Sequence, residues 1–405
     1  MEPETCNRVP GHRRRSGPGV RVRRSAALVV ALGVAVVGWA GPVAAKPAHR
    51  RPAPLPPAVA TGQPAPAGTA ALSGVSCATA LLCWSVGTGP APNGAGIGTI
   101  DASKNGGKTW SPQVVPAGVM SLAAISCPTA LRCLAGGAGA TTGAVVSTRD
   151  GGSTWVLKHA PPGSLAVTGV QCSPAGGCLA LSTDGSLYSS ASSNDYGQTW
   201  TTGGDLPPTL AGASGLSCEG TQQCLVAGYA PSTPGEGAGA LASSTNGGAT
   251  WTSVTLPPGV GLLHGVGCDR ATCVAVGTTA TNATVVVPGK GVILDSVDGG
   301  MTWTAEPHST AVDDAFGVSC TAQRVCVIVG TVWIPVSPPT PVGSVITSHD
   351  GGMTWRPAKL HYLPQSVLAV DCASAATCVA AGTNVLAHIA LPVKKVKQKP
   401  RGIGI

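Results

Sequence analysis

The octapeptide Ser296-Val297-Asp298-Gly299-Gly300-Met301-Thr302-Trp303 limits this chain more than any other feature, because five close copies accompany it, at 103–110, 148–155, 193–200, 244–251 and 348–355. The common form is S/T-x-D/N-G-G-x-T-W, with Asn105 and Asn246 in place of Asp and Tyr196 in place of the first Gly. Successive Trp residues stand 45, 45, 51, 52 and 52 positions apart. A unit of about 40–50 residues with strand-like flanks signals a propeller blade or a solenoid coil. One supersecondary unit is therefore repeated along a single domain.

Each octapeptide reads as a tight hairpin turn. Glycines admit positive φ where a side chain would clash, and Asp or Asn bonds to the amides of its own turn. Thr and Trp begin the return strand, where the indole offers a large apolar surface to the neighbouring unit. These residues resemble the Asp box, or BNR repeat, of sialidases, sortilin-type receptors and photosystem II assembly factors. The resemblance rests on six copies in phase: Asn105 with Trp110, Asp150 with Trp155, Asp195 with Trp200, Asn246 with Trp251, Asp298 with Trp303 and Asp350 with Trp355. It implies a structural box and a propeller fold, and it implies no reaction.

Cysteine gives the second periodicity. Apart from Cys6, the fourteen cysteines form seven local pairs: Cys77/Cys83, Cys127/Cys133, Cys172/Cys178, Cys218/Cys224, Cys268/Cys273, Cys320/Cys326 and Cys372/Cys378. Each lies in a frame like G-V-S-C-x5-C-V-A-V-G, which reads as strand, short loop, strand. Disulfides stapling seven hairpins across their turns are the natural reading for an exported chain. Metal binding competes with it, but neighbouring His are absent and the spacing exceeds the usual C-x2–4-C.

The spacing orders the blade. From each box Trp to the next first Cys it is 17 or 18 residues, whereas from the second Cys to the following Trp it ranges from 22 to 30. With strands named A to D, the Cys pair joins A to B, the box joins C to D, and the variable segment is the B–C loop. Staples and boxes then share one face. B–C loops and D–A passages share the other, with the longest loops at 229–238, 277–290 and 331–343. Scaffolded loops carry recognition, so a partner is expected on that second face.

Seven Cys hairpins and six boxes imply an all-β, seven-bladed propeller of four-stranded antiparallel blades. Its last blade borrows a D strand from residues 57–63, and a turn divided between the two ends of the domain holds no continuous box. Closure leaves only short, protected sheet edges.

The remaining segments are read as follows. Residues 1–45 carry a basic stretch, an apolar run and small residues at Val43-Ala44-Ala45, the layout of a signal peptide. An uncleaved anchor is the alternative. Residues 46–56 form a Pro-rich basic linker, 57–392 the propeller, and 393–405 a basic disordered tail. The net charge of +8 sits in these extensions, since residues 54–392 hold 10 Lys and Arg against 15 Asp and Glu. A nucleic-acid partner is therefore not expected. Membrane contact is expected only through the signal or the tail, and the protein is expected to be an extracytoplasmic monomer. Asn282 heads a sequon by pattern.

No catalytic set, cofactor or metal site is expected. Sialidases need a Tyr nucleophile and an arginine cluster. Here Arg132, Arg270 and Arg324 fall in A–B loops, Arg149 lies within a box and Arg356 follows one. Residues that break the repeat are His264, Asp313, Asp314, His308, His361 and Tyr362, all near the expected loop face. They are weak candidates for a polar ligand or a cation, set against a reading as solvated loop residues. The expected function is a non-catalytic binding or scaffolding module whose partner is a protein or glycan of the envelope. Two alternatives stay open: a glycan-binding or degenerate sialidase-like protein, and the membrane-protein assembly role that the photosystem branch of the resemblance implies.

Overall fold

A computed structural model describes residues 55–90, 96–220, 222–231, 238–279, 289–306, 311–336 and 339–393. The signal segment, Cys6, most of the linker, Asn282, His308 and the tail from residue 394 lie outside the described residues, as do parts of the three long loops. Among the described residues there is no helix, and so none long and apolar enough to cross a membrane.

Seven antiparallel blades follow one another in strand order A-B-C-D. Blade 1 runs Ala71–Cys77, Cys83–Pro90, Gly96–Ser103 and Ser111–Pro112. Its successors begin with the A strands Val119–Thr129, Ala166–Cys172, Gly212–Glu219, Val260–Asp269, Asp314–Thr321 and Val367–Ser374. These seven A strands form the inner ring. The fold class is the one that the repeat predicts.

The borrowed strand is Val59–Pro64, within a residue or two of its expected place. It pairs antiparallel with Val385–Ala390, from Val59 opposite Ala390 to Pro64 opposite Val385. A short strand absent from the sequence reading, Lys359–His361, adds to its outer edge in parallel, so the closing blade has five strands.

Alternating apolar side chains fill the spaces between blades. The buried core divides into seven clusters, one per seam, and six of them include a box Trp. The seam between blades 6 and 7 has no box to contribute, and Ala58, Ala60 and Leu391 serve it instead.

Every box has one geometry. The Ser or Thr hydroxyl accepts the N–H of the second Gly at 2.8–2.9 Å, and the Asp or Asn Oδ1 accepts the N–H of the Thr at 2.9–3.0 Å. The second Gly needs its missing side chain twice over. At Gly300 φ is +88°, and a Cβ would lie 2.5 Å from Cδ1 of Leu225 in the preceding blade. The box is thus both a turn and a contact between blades.

All seven Cys pairs are disulfide-bonded: Cys77 to Cys83, Cys127 to Cys133, Cys172 to Cys178, Cys218 to Cys224, Cys268 to Cys273, Cys320 to Cys326 and Cys372 to Cys378. Each pair joins strand A to strand B, as the spacing predicts, and the second Cys stands at the start of strand B with its side chain turned inward. Cys83, Cys133, Cys178, Cys224, Cys273, Cys326 and Cys378 are all buried, none more than 5% exposed. Cys133 packs in the seam between blades 1 and 2, Cys273 between 4 and 5, Cys326 between 5 and 6, and Cys378 between 6 and 7. The reason is strand alternation: at this position the side chain points at the preceding blade. These second-Cys sulfurs belong to the core.

Boxes are also tied to staples. In each of the six, the residue at the first Gly position donates its N–H to a carbonyl of the A–B loop in its own blade, as Gly299 does to Ala271 at 2.8 Å and Tyr196 to Gly176 at 3.0 Å. Staples and boxes therefore lie on one face. Tyr196 adopts φ 59°, its hydroxyl donates to the carbonyl of Pro174, and Arg132 stacks over its ring at 4.4 Å.

A belt of hydrogen bonds circles the axis just inside the staples. The residue before the first Cys of one blade accepts the N–H of the first Cys in the next: Ser76 from Cys127, Ser126 from Cys172, Gln171 from Cys218, Ser217 from Cys268 and Ser319 from Cys372. Asp371 closes the belt by accepting the N–H of Cys77 at 2.7 Å. Burial pushes the Asp371 carboxyl up, against the hydrogen bonds that pull it down. Gly267 has no side chain to offer, and the belt skips that position.

Candidate functional site

The face opposite the staples carries the B–C turns, the D–A passages and the upper ends of the A strands. All seven A strands are interrupted by a register shift at the same place, four residues before the first Cys. The residues there are Ser73, Ala123, Thr168, Ser214, His264, Phe316 and Leu368. A bulge re-aims a side chain out of the sheet's alternation. These seven are half-buried or exposed, although Leu72, Val167, Leu263 and Ala315 beside them are buried between blades.

The ring they form is lopsided. Small or hydroxylated residues occupy blades 1 to 4, while His264, Phe316 and Leu368 occupy blades 5 to 7. The rings of His264 and Phe316 meet with centroids 5.0 Å apart, tilted by 50°. Burial holds the His264 imidazole below its ordinary value, with nearby Asp314 offsetting part of that effect. An aromatic and aliphatic sector is the result.

Asp313 and Asp314 have a role that their spacing did not reveal. In blade 6 the B strand Val325–Ile334 and the C strand Thr340–Ser348 stay paired as far as Ile334 opposite Thr340, the longest B–C pairing among the described residues. Trp333 sits near the tip of this hairpin. Its backbone N–H donates to Asp313 Oδ2 at 2.7 Å and its indole N–H to Asp314 Oδ2 at 2.9 Å. The two carboxylates thereby brace the hairpin against the mouth of the ring. Ile334 and Val336 beyond it are 41% and 51% exposed.

His361 and Tyr362 do not join this group. His361 ends the outermost strand of the closing blade, opposite Thr61, and Tyr362 follows with φ 54° and its ring exposed. They occupy the rim, because a D–A passage that leaves blade 6 must first travel along the outer edge of blade 7. Arg132 and Arg324 lie on the staple face, the latter donating to the carbonyl of Asp350 at 2.7 Å. Among the described residues no group of three or more His, Cys, Asp or Glu is gathered closely enough to hold a metal ion.

Box carboxylates are held well below the usual range. Asp150 and Asp298 are lowered to about 2, first by the hydroxyl of the box Thr and then by its amide. Asp195 is lowered first by the Thr199 hydroxyl, then by the Ser193 hydroxyl and the Thr199 amide. At Asp350 burial is the largest influence and acts upward, yet the bonds from Thr354 and Ser348 prevail and the net direction is down. Such carboxylates are committed acceptors within turns and are ill suited to proton transfer.

Two cavities lie against blades 1 and 2: one between the C strand of blade 1, its D–A passage and residues 67–69, the other between the B–C turn and the D–A passage of blade 2. Their volumes are about 380 and about 460 Å³. The first is bordered by Asp101, a buried acid that is absent from the sequence-derived candidates.

No family model matches this chain, and no curated protein matches it in sequence. Solved structures do resemble it. One described as YCF48 bound to D1 peptide is 16% identical, with a TM-score of 0.57 over 82% of this chain and 97% of that one. YCF48 from Cyanidioschyzon merolae is 13% identical, with a TM-score of 0.55 over 81% and 98%. A streptogramin B lyase is 12% identical, with a TM-score of 0.56 over 82% and 97%. At such identities the shared property is the β-propeller fold.

Proposed function

We propose that this protein is an extracytoplasmic, non-catalytic propeller that holds a segment of a partner protein against its loop face. The observation that carries the reading is the braced hairpin. Two carboxylates fix Trp333, one of them, Asp314, also acting on His264 of the bulge ring, and the fixed hairpin exposes Ile334 and Val336. Exposed apolar groups on a rigid support suit a peptide with apolar side chains. That a protein of the same fold is described as bound to a D1 peptide supports a peptide as the kind of partner. Seven disulfides support an oxidising compartment, and the N-terminal 45 residues are proposed as the export signal.

The test compares intact protein with two variants, Trp333→Ala and one in which a two-residue turn replaces 334–339, in crosslinking from envelope extract. A partner retained by intact protein and lost from both variants, with unchanged melting, is the expected outcome. Equal recovery by all three refutes the assignment of the hairpin. Turnover of sialosides that disappears on substituting Asp313 or Asp314 would overturn the non-catalytic reading.

A further inference from the structure

Asp101 stands where this fold asks for a hydrocarbon. Counted back from the box Ser or Thr, the equivalent residues of the next five blades are Val146, Ala191, Ala242, Leu294 and Ile346, all buried. Across the sheet, Ser85 opposes Asp101, whereas the corresponding pairs are Ala135 with Val146, Ala180 with Ala191, Val226 with Ala242, Ala275 with Leu294 and Ile328 with Ile346. At this position, among the described residues of the six blades that carry a box, only blade 1 places two polar side chains opposite each other.

That pair is incompletely satisfied. Asp101 is 0% exposed, and its Oδ2 accepts the Thr69 hydroxyl at 3.1 Å, but its Oδ1 has no partner. The hydroxyls of Ser85 and Thr99 are likewise buried without partners. Thr99 is two residues from Asp101 on one strand, so both side chains leave the sheet on the same side. Beside them lies the cavity of about 380 Å³, whose border includes Thr69, Ile97, Thr99, Asp101, Pro112 and Val115. None of its lining residues is cationic.

A buried carboxylate oxygen without a hydrogen bond is costly, and a charged donor is the group that best relieves it. A primary ammonium has three donors and no acceptor, which matches a carboxylate flanked by threonine hydroxyls. Ile97, Pro112 and Val115 offer apolar wall for an aliphatic stem, as a lysine side chain has. A bare metal ion fits less well, since only one carboxylate borders the cavity where six or more oxygens are wanted.

We propose that the cavity beside Asp101 binds a primary ammonium group carried on an aliphatic chain, of the kind that a lysine of a bound peptide presents. This inference stands apart from the reading of the blade 6 hairpin, and its test uses a small molecule, so either can fail alone.

The probe is Nα-acetyl-lysine methylamide, titrated calorimetrically into the full-length protein, with Nα-acetyl-norleucine methylamide as the uncharged isostere. The lysine derivative is expected to bind at pH 7.5 and the norleucine derivative not to bind. Only burial and the Thr69 hydroxyl shift the Asp101 carboxyl, which is pushed up to about 6, and no neighbouring charge contributes. Affinity should accordingly fall about tenfold between pH 7.5 and pH 5 as the carboxyl takes a proton. Asp101→Asn should abolish binding, and Thr99→Val should weaken it several-fold while keeping the native melting profile. The pH profile of the unaltered protein tests the idea independently of the Asp101→Asn variant. Absence of binding at millimolar probe, equal binding of both probes, or equal binding by Asp101→Asn would overturn the proposal.

Discussion

Replacing Asp101 with Asn should stabilise the protein at neutral pH, although it removes a buried residue from a well-ordered strand. The carboxyl is raised from 3.8 to about 6, with burial the larger cause and the Thr69 hydroxyl acting against it. An acid whose folded value is raised makes its full contribution below its unfolded value, and loses it as pH climbs through the folded value. The window thus runs from about pH 4 to about pH 6. Above it the charged form destabilises the fold by roughly 3 kcal/mol, at about 1.4 kcal/mol per unit. Unfolding entropy for a domain of this size is on the order of 0.7 kcal/mol/K, so the variant should melt roughly 4 °C higher at pH 7.5. The amide keeps the side chain's shape and can still accept from Thr69. Paired calorimetric scans of the two proteins at pH 7.5 and pH 4 provide the assay, with the gain vanishing at the lower pH. A variant that melts lower at pH 7.5, or a gain of equal size at both values, would show that Asp101 is not a buried unpaired charge.

Other perturbations probe other parts of the frame. Thiol titration of the unreduced, denatured protein lacking residues 1–45 should find no free sulfhydryl, and Cys218→Ser with Cys224→Ser should cost about 2 kcal/mol, the loop-entropy value for so short a ring. Gly300→Ala must hold positive φ and push into Leu225; a loss of roughly 2–4 kcal/mol by denaturant titration is expected. Lowered pKa values make the box carboxylates stabilising above their unfolded value, with that help lost as pH falls through about 2; melting temperature should therefore drop steeply below pH 4. Asp314→Ala should speed amide exchange in the blade 6 hairpin while leaving the other blades unchanged, and uniform acceleration in all blades would contradict the bracing role.

The fold was legible because its two devices are local. A box spans eight residues and a staple six or seven, so their phase reads directly along the chain, and the missing seventh box indicates where the ring closes. Contacts between blades left weaker marks. Pairing of Cys326 with Cys320 reads from the chain, but its burial against blade 5 depends on how two blades meet. The same holds for the bulge four residues before each first Cys, where Ser73, Thr168 and His264 share no residue type that would announce it. Asp313 and Asp314 resembled an open acidic pair because their partner, Trp333, lies 20 and 19 residues away on a hairpin of unforeseen length. His361 and Tyr362 were placed by counting along a passage whose extra strand was not foreseen. Asp101 had a signal that went unused: aligning the C strands on their box hydroxyls sets it against five hydrocarbons.

The closing blade fixes where the domain can be tethered. Its borrowed strand starts, and its C strand finishes, at the edge that bears the staples, with Val59 beside Ala390. Leu55, Pro56 and Pro57 border a cavity with His349 and Asp350 of the blade 6 box. Both described ends of the domain therefore leave from the stapled edge, on the side away from the B–C turns and the braced hairpin.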